Sequence, residues 1–91
     1  YIIQEHEFGH FIYDVARWDS DWTADMDRAL RREFEKRSKL NTACTDMHEA
    51  FAYAYADSIT CPWNVNNDML ITIQKSIDIV NKLNSGNAGG V

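Results

Sequence analysis

The chain has 91 residues, 45% hydrophobic and 25% charged, with a net charge of −5 at neutral pH. This length holds one small domain or part of one, near the lower size at which a single core sustains a fold. The acidic balance disfavours a general nucleic-acid binder, and no apolar run is long enough to span a bilayer. Because the chain opens at Tyr1 with no initiating Met and a helical pattern already under way, we expect a C-terminal or processed piece of a longer protein.

Residues 1 to about 17 read as a helix. Phe8, Phe11, Ile12 and Val15 recur at helical spacing, which predicts a buried stripe, while His6, His10, Tyr13, Asp14 and Arg17 fall on a different, polar face. That polar face carries His6-Glu7-Phe8-Gly9-His10, an H-E-x-x-H pattern. Histidines at i and i+4 leave a helix on one side, one turn apart, and can hold one Zn²⁺, with the intervening glutamate placed as general base. The bland alternative is chance spacing on a solvated face. Gly9 costs about 1 kcal/mol inside a helix, so its presence points to close packing or ligand approach.

Trp18 to Thr23 is a turn with several candidate N-caps, and a second helix covers about residues 24–39. Its apolar stripe is narrow (Met26, Leu30, Phe34), with arginine and glutamate around the rest. Six of the nine basic residues lie here: Arg28, Arg31, Arg32, Lys36, Arg37 and Lys39. Asp25 and Asp27 at the start and the basic residues at the end suit the helix dipole, which favours a surface helix over a docking patch for acidic substrates.

Asp46 opens a third segment in which alanines 50, 52, 54 and 56 alternate with larger residues. Alanine is the best helix former and a poor strand residue, so a helix to about Ile59 is expected, with small residues permitting close helix–helix approach. Cys61-Pro62-Trp63 ends it. A fourth helix, about 68 to 83, has the stripe Leu70, Ile73, Ile77 and Val80, with Met69 and Leu83 at its margins; Asn84-Ser85-Gly86 supplies a stop. Residues 86–91 are Gly-rich and expected to form a disordered tail, leaving 1–85 as the folded unit. Cys44 and Cys61 flank the third helix, roughly 20 Å apart at 1.5 Å per residue, beyond the ~7 Å reach of a disulfide. They are too few for a disulfide framework and lack a C-x-x-C partner for zinc. The fold class expected is mainly α, about four helices.

A catalytic zinc takes three protein ligands and keeps one position open, so the histidine pair requires a third. Glu49 is the best placed, on a separate helix after a second helix has run out and returned. Asp46-x-x-Glu49 also matches a capping box, in which the glutamate merely caps its own helix. Asp46, His48 and Asp57 are further candidates, although His48 points about 100° away from Glu49 on the same helix. Asp14 reads better as a partner supporting the site than as a ligand.

His6-Glu7-Phe8-Gly9-His10 with Asp14, then Glu49-Ala50-Phe51-Ala52-Tyr53-Ala54-Tyr55 and a final amphipathic helix, resembles the catalytic end of the anthrax lethal factor and Pro-Pro endopeptidase group of zinc metallopeptidases. The resemblance covers residues 1 to about 85. It implies a gluzincin-type zincin, a secreted zinc endopeptidase acting on a peptide or protein substrate. It assigns one Zn²⁺ to His6, His10 and Glu49, makes Glu7 the general base, and places the sheet that holds substrate upstream of this chain.

One departure bears on activity. That group places a tyrosine seven residues before the ligand glutamate to stabilise the developing oxyanion, and here the position is Thr42. Removing one oxyanion donor costs on the order of 10²–10³ in rate; Tyr13 and Tyr53 are the local substitutes. Tyr53 also stands where some relatives carry a second acidic residue. Competing readings are a cytosolic regulatory zinc peptidase, a toxin or interaction domain that keeps the metal site without turnover, and a helical piece inactive without its upstream part.

Overall fold

A computed structural model describes the backbone of residues 2–89 and the side chains of residues 4–85. Four helices follow one another: α1 (Ile2–Ala16), α2 (Ala24–Leu40), α3 (Met47–Thr60) and α4 (Asn67–Gly89), with one 3₁₀ turn at Pro62–Asn64 before α4. Among the described residues there is no strand, so the fold is all-α. No helix is long and apolar enough to cross a membrane among those residues.

Local chemistry explains the boundaries. Thr23 N-caps α2, its hydroxyl accepting from the Met26 N–H at 3.2 Å while its own N–H donates to Met26 Sδ at 3.4 Å. Asp46 N-caps α3 by accepting from the Glu49 N–H at 2.9 Å. Pro62, which cannot continue the ladder, starts the 3₁₀ turn directly after the α3 C-cap Cys61. The stop expected at Asn84-Ser85-Gly86 is not used, and α4 is helical to Gly89. Such a stop needs a left-handed C-cap, and no described glycine has positive φ. The side chains of the expected tail, residues 86–91, lie outside the described residues.

α1 packs most extensively on α3, and α2 and α4 close the remaining sides. The crossing of α1 and α3 is tight because both helices are small where they meet. A Cβ added at Gly9 would sit 2.9 Å from Ala52 Cα and 3.1 Å from Tyr55 Cβ. Ala50, Ala52 and Ala54 are completely buried along the same helix. The small residues of α3 thus perform the close approach expected of them.

The face that α1 buries differs from the one expected. Ile12 is buried and Val15 half-buried, but Phe8 and Phe11 are 51% and 48% exposed. The packed stripe is Gly9, Ile12, Tyr13 and Ala16, at i, i+3, i+4 and i+7. Tyr13, expected on the polar face, is in the core, its ring stacked on Phe51 at 5.3 Å and edge-on to Trp22 at 5.6 Å. Phe8 and Phe11 stack on each other instead, and with Tyr55 line an open cleft of about 610 Å³. Hydrophobicity alone selected the phenylalanines; steric fit at Gly9 selects the neighbouring stripe.

Two further faces are corrected by polar groups that enter the core with partners, although Glu33 Oε1 and Arg37 Nη2 are buried without a hydrogen bond among the described residues. On α4 the buried residues include Met69, Thr72, Ile73, Ser76, Ile79 and Val80, whereas Leu70 and Ile77 are half-buried. Thr72 and Ser76 enter the core because their hydroxyls donate to the Asp68 and Thr72 carbonyls, at 2.9 and 2.7 Å. On α2, Glu33 is 1% exposed, alongside Met26, Ala29 and Leu30. Its carboxylate pairs with Arg37 Nε and lies 3.4 Å from Lys36 Nζ, and Arg37 Nη1 continues to Asp57 on α3 at 2.9 Å. Arg28, Arg31 and Arg32 pair with Asp25, Asp27 and Asp68. The basic run is therefore occupied largely within the chain, as a structural helix requires.

Two stability predictions follow from this packing. Gly9→Ala drives a methyl against backbone, and we expect a loss of about 1–3 kcal/mol in urea unfolding, with α1 displaced from α3. Arg37→Met strands the buried Glu33 carboxylate and should cost about 3–5 kcal/mol, reduced where Lys36 takes over the pairing. Because apolar replacement of both partners removes the stranded charge, the double variant Arg37→Met/Glu33→Met should recover most of that loss; equal instability of the double variant would refute this account.

Candidate metal centre

The α1–α3 crossing brings three side chains together. His6 and His10 leave α1 one turn apart, and Glu49 reaches them from the first turn of α3. His6 Nε2 lies 3.0 Å from Glu49 Oε1, and His10 Nε2 lies 3.4 Å from Glu49 Oε2. One ligand atom from each residue falls within 4.8 Å of the others, and this is the group of three or more potential metal-ligating side chains found among the described residues. All three are partly exposed, at 18%, 25% and 30% of their side-chain surface, so an ion and a solvent molecule have access.

The donor set can be tested against zinc. Tetrahedral zinc with N and O bonds of about 2.0–2.2 Å holds its ligand atoms roughly 3.3–3.5 Å apart. One ligand atom from each residue lies within 4.8 Å of the others, so small side-chain shifts would bring them to that spacing, and two imidazoles with one carboxylate are ordinary ligands for catalytic zinc. By donor chemistry the three residues fit a divalent metal ion, and Nε2 of each histidine is the ring nitrogen that faces Glu49.

The competing role of Glu49 is resolved by its direction. Asp46 caps the Glu49 N–H, but the Glu49 carboxylate does not return to the Asp46 backbone; it faces His6 and His10. The two halves of the sequence pattern have separated, with the cap in Asp46 and the carboxylate in the cluster. Asp57 is committed to Arg37. His48 is not one of the three clustered residues, and its Nε2 lies 3.1 Å from Asp14 Oδ1. Asp14, expected as a partner supporting the site and not as a ligand, pairs with a histidine on α3. Sequence spacing missed this pair because it joins two helices.

Glu7 is exposed, and its carboxylate has no ion-pair partner among the described residues. The three residues considered for an oxyanion role separate clearly. Thr42 is exposed on the α2–α3 connection and forms no hydrogen bond to the cluster among the described residues. Tyr13 is buried, and burial pushes its hydroxyl pKa up against the opposing hydrogen bond from Arg17. Tyr53 is half-buried, its ring 4.4 Å from that of His6. Cys44 and Cys61 are both free, and burial raises the pKa of the Cys44 thiol.

Comparison with known proteins gives no match to a family model, a curated protein or a solved structure. What fold and site define together is a small all-helical domain with a His6/His10/Glu49 cluster able to coordinate a metal ion.

If the cluster binds zinc, unfolding should become zinc-dependent, gaining about 2.7 kcal/mol when free zinc reaches a hundred times its dissociation constant. Glu49→Ala should remove most of that increment. Asp46→Ala should cost about 1 kcal/mol of helix capping yet keep the increment. Thermal unfolding with and without zinc separates the two effects, and an unaltered increment in Glu49→Ala would exclude Glu49 as a ligand.

Proposed function

We propose that this chain is the helical catalytic part of a zinc-dependent endopeptidase, with one Zn²⁺ held by His6, His10 and Glu49 and with Glu7 as general base. The observation that carries the reading is the convergence of an i, i+4 histidine pair with a glutamate from a second helix, together with a glutamate between the histidines that has no ion-pair partner among the described residues. A bound zinc ion supplies a Lewis acid for the scissile carbonyl and lowers the pKa of water. His6, His10 and Glu49 would hold the ion where α1 meets α3, and their partial exposure would let solvent reach it. Glu7 takes a proton from the attacking water on a carboxylate oxygen and returns it to the leaving amine. The exposed pair Phe8 and Phe11, on the same helix as the histidines, supports a further layer of polypeptide over α1, which we assign to the upstream part of the protein. The likeness to the lethal factor and Pro-Pro endopeptidase group supports a peptide or protein substrate and a secreted setting.

Thr42 favours a second reading, a domain that binds metal and a partner without turnover, because no hydroxyl from that position joins the cluster. A peptide-library assay on the zinc-loaded protein with its upstream sequence decides between them. The peptidase reading expects cleavage, and Glu7→Gln should lower it by about 10²–10⁴ while zinc stoichiometry is retained. Zinc binding without cleavage of any peptide supports the second reading. Cleavage unchanged by Glu7→Gln would overturn the role given to that residue.

A further inference from the structure

The metal helix holds its two imidazoles without the usual support. A ligating histidine ordinarily donates its second ring N–H to a carboxylate or carbonyl, which fixes the tautomer and the ring plane. Among the described residues neither His6 nor His10 forms such a bond, since their hydrogen-bond and ion-pair contacts run from Nε2 to Glu49. The imidazole torsion is broad and two-fold, so an unsupported ring can turn and offer Nδ1 instead.

Rings supplied by α3 occupy the space around both ligands. Tyr53, one turn after Glu49, lies against His6 with centroids 4.4 Å apart and planes tilted by 60°. His48, the residue before Glu49, lies 5.8 Å from His10 at 31°. His48 is itself held on two sides, by Asp14 of α1 at 3.1 Å and edge-on by Tyr13 at 4.7 Å. His6 and His10 meet edge to face at 4.8 Å between these two rings. The four rings thus form a row, with the ligand imidazoles inside and the α3 side chains outside. The Tyr53 hydroxyl makes no hydrogen bond among the described residues, so its contact with His6 is made by the ring.

We propose that Tyr53 and His48 are positioning residues of the metal centre, aromatic rings from α3 that hold His6 and His10 with Nε2 facing Glu49. The proposal rests on the metal-binding reading of the cluster and deepens it: α3 contributes one ligand and the orientation of the other two.

The test compares ring-keeping with ring-deleting variants of the protein: Tyr53→Phe and His48→Phe against Tyr53→Leu and His48→Leu. Zn²⁺ affinity is read by competition with a chromogenic chelator, and ligand geometry by the visible absorption of the Co²⁺-loaded protein. Loss of support around a metal ligand costs about 10–100-fold in affinity, and that loss with an altered Co²⁺ spectrum is expected for each leucine variant. The phenylalanine variants should keep the wild-type spectrum and stay within about threefold of wild-type affinity, a small fraction of that loss. Leucine variants indistinguishable from wild type would overturn the proposal, as would a Tyr53→Phe variant as weak as Tyr53→Leu. A His48→Phe variant that loses the ion would mark His48 as a ligand and overturn its positioning role. If wild-type protein takes up neither Zn²⁺ nor Co²⁺, the metal reading fails and this proposal with it. Should a leucine variant fail to fold, magnetisation transfer between the Tyr53 and His6 ring protons in the zinc-loaded wild type decides. Its presence supports the contact, and its absence overturns it.

Discussion

The close crossing of α1 and α3 is the constraint on which the rest of the molecule depends. Gly9 lies against Ala52 with too little room for a methyl group. The cluster is built one turn from that point on both helices, His6 three residues before Gly9 and Glu49 three residues before Ala52. Helices that cross with larger residues at the contact stand further apart, out toward the upper end of the usual 8–10 Å interaxial range. A separation of that kind would carry the Glu49 carboxylate away from the histidines, whose nitrogens it now approaches to 3.0 and 3.4 Å. Gly9 accepts a conformational penalty in the middle of a helix, and what it secures is the distance between the histidines and Glu49.

The other two helices keep α3 in place against α1. Glu33 is buried in the face of α2, and Arg37 links its carboxylate to Asp57 near the end of α3. A buried ion pair of this kind adds little net stability over an apolar pair, but it tolerates only arrangements in which both charges stay partnered. It therefore restricts how α2 sits against α3 more than it strengthens the contact. Lys82 of α4, reaching Asp19 and Asp21 at 3.2 and 2.6 Å, similarly ties the last helix to the turn between α1 and α2. These groups are more exposed, so this tie contributes less.

Much of the architecture was legible in the residues because local signals agreed with one another. Thr23 and Asp46 announce helix starts, Pro62 announces an end, and the alanine run of α3 admits a helix far better than a strand. Where the reading failed, a residue's type misrepresented its environment. Phe8 and Phe11 are apolar yet exposed, since a neighbouring stripe centred on Gly9 fits α3 better. Glu33 is charged yet buried, since Arg37 lies one turn away and Asp57 approaches from another helix. Thr72 and Ser76 pass as core residues by bonding their hydroxyls to their own helix. The end of α4 was misjudged because a glycine stops a helix only where it turns left-handed.

The sequence by itself determined the chemistry on offer: an i, i+4 histidine pair on one helix with Glu7 between its members. That much follows from a fixed rise and twist per residue, which place His6 and His10 on one side whatever surrounds them. Tertiary structure decided which acidic residue joins them. Asp46, Asp57 and Glu49 were all candidates by composition and spacing; Asp46 is taken up locally by its helix cap, and packing separates the other two, sending Asp57 to Arg37 and Glu49 to the histidines. It also decided that Asp14 meets His48 and that Tyr53 meets His6. Contacts between helices depend on crossing distance and rotation, and those are set by the small residues buried between them, not by the spacing of the polar ones.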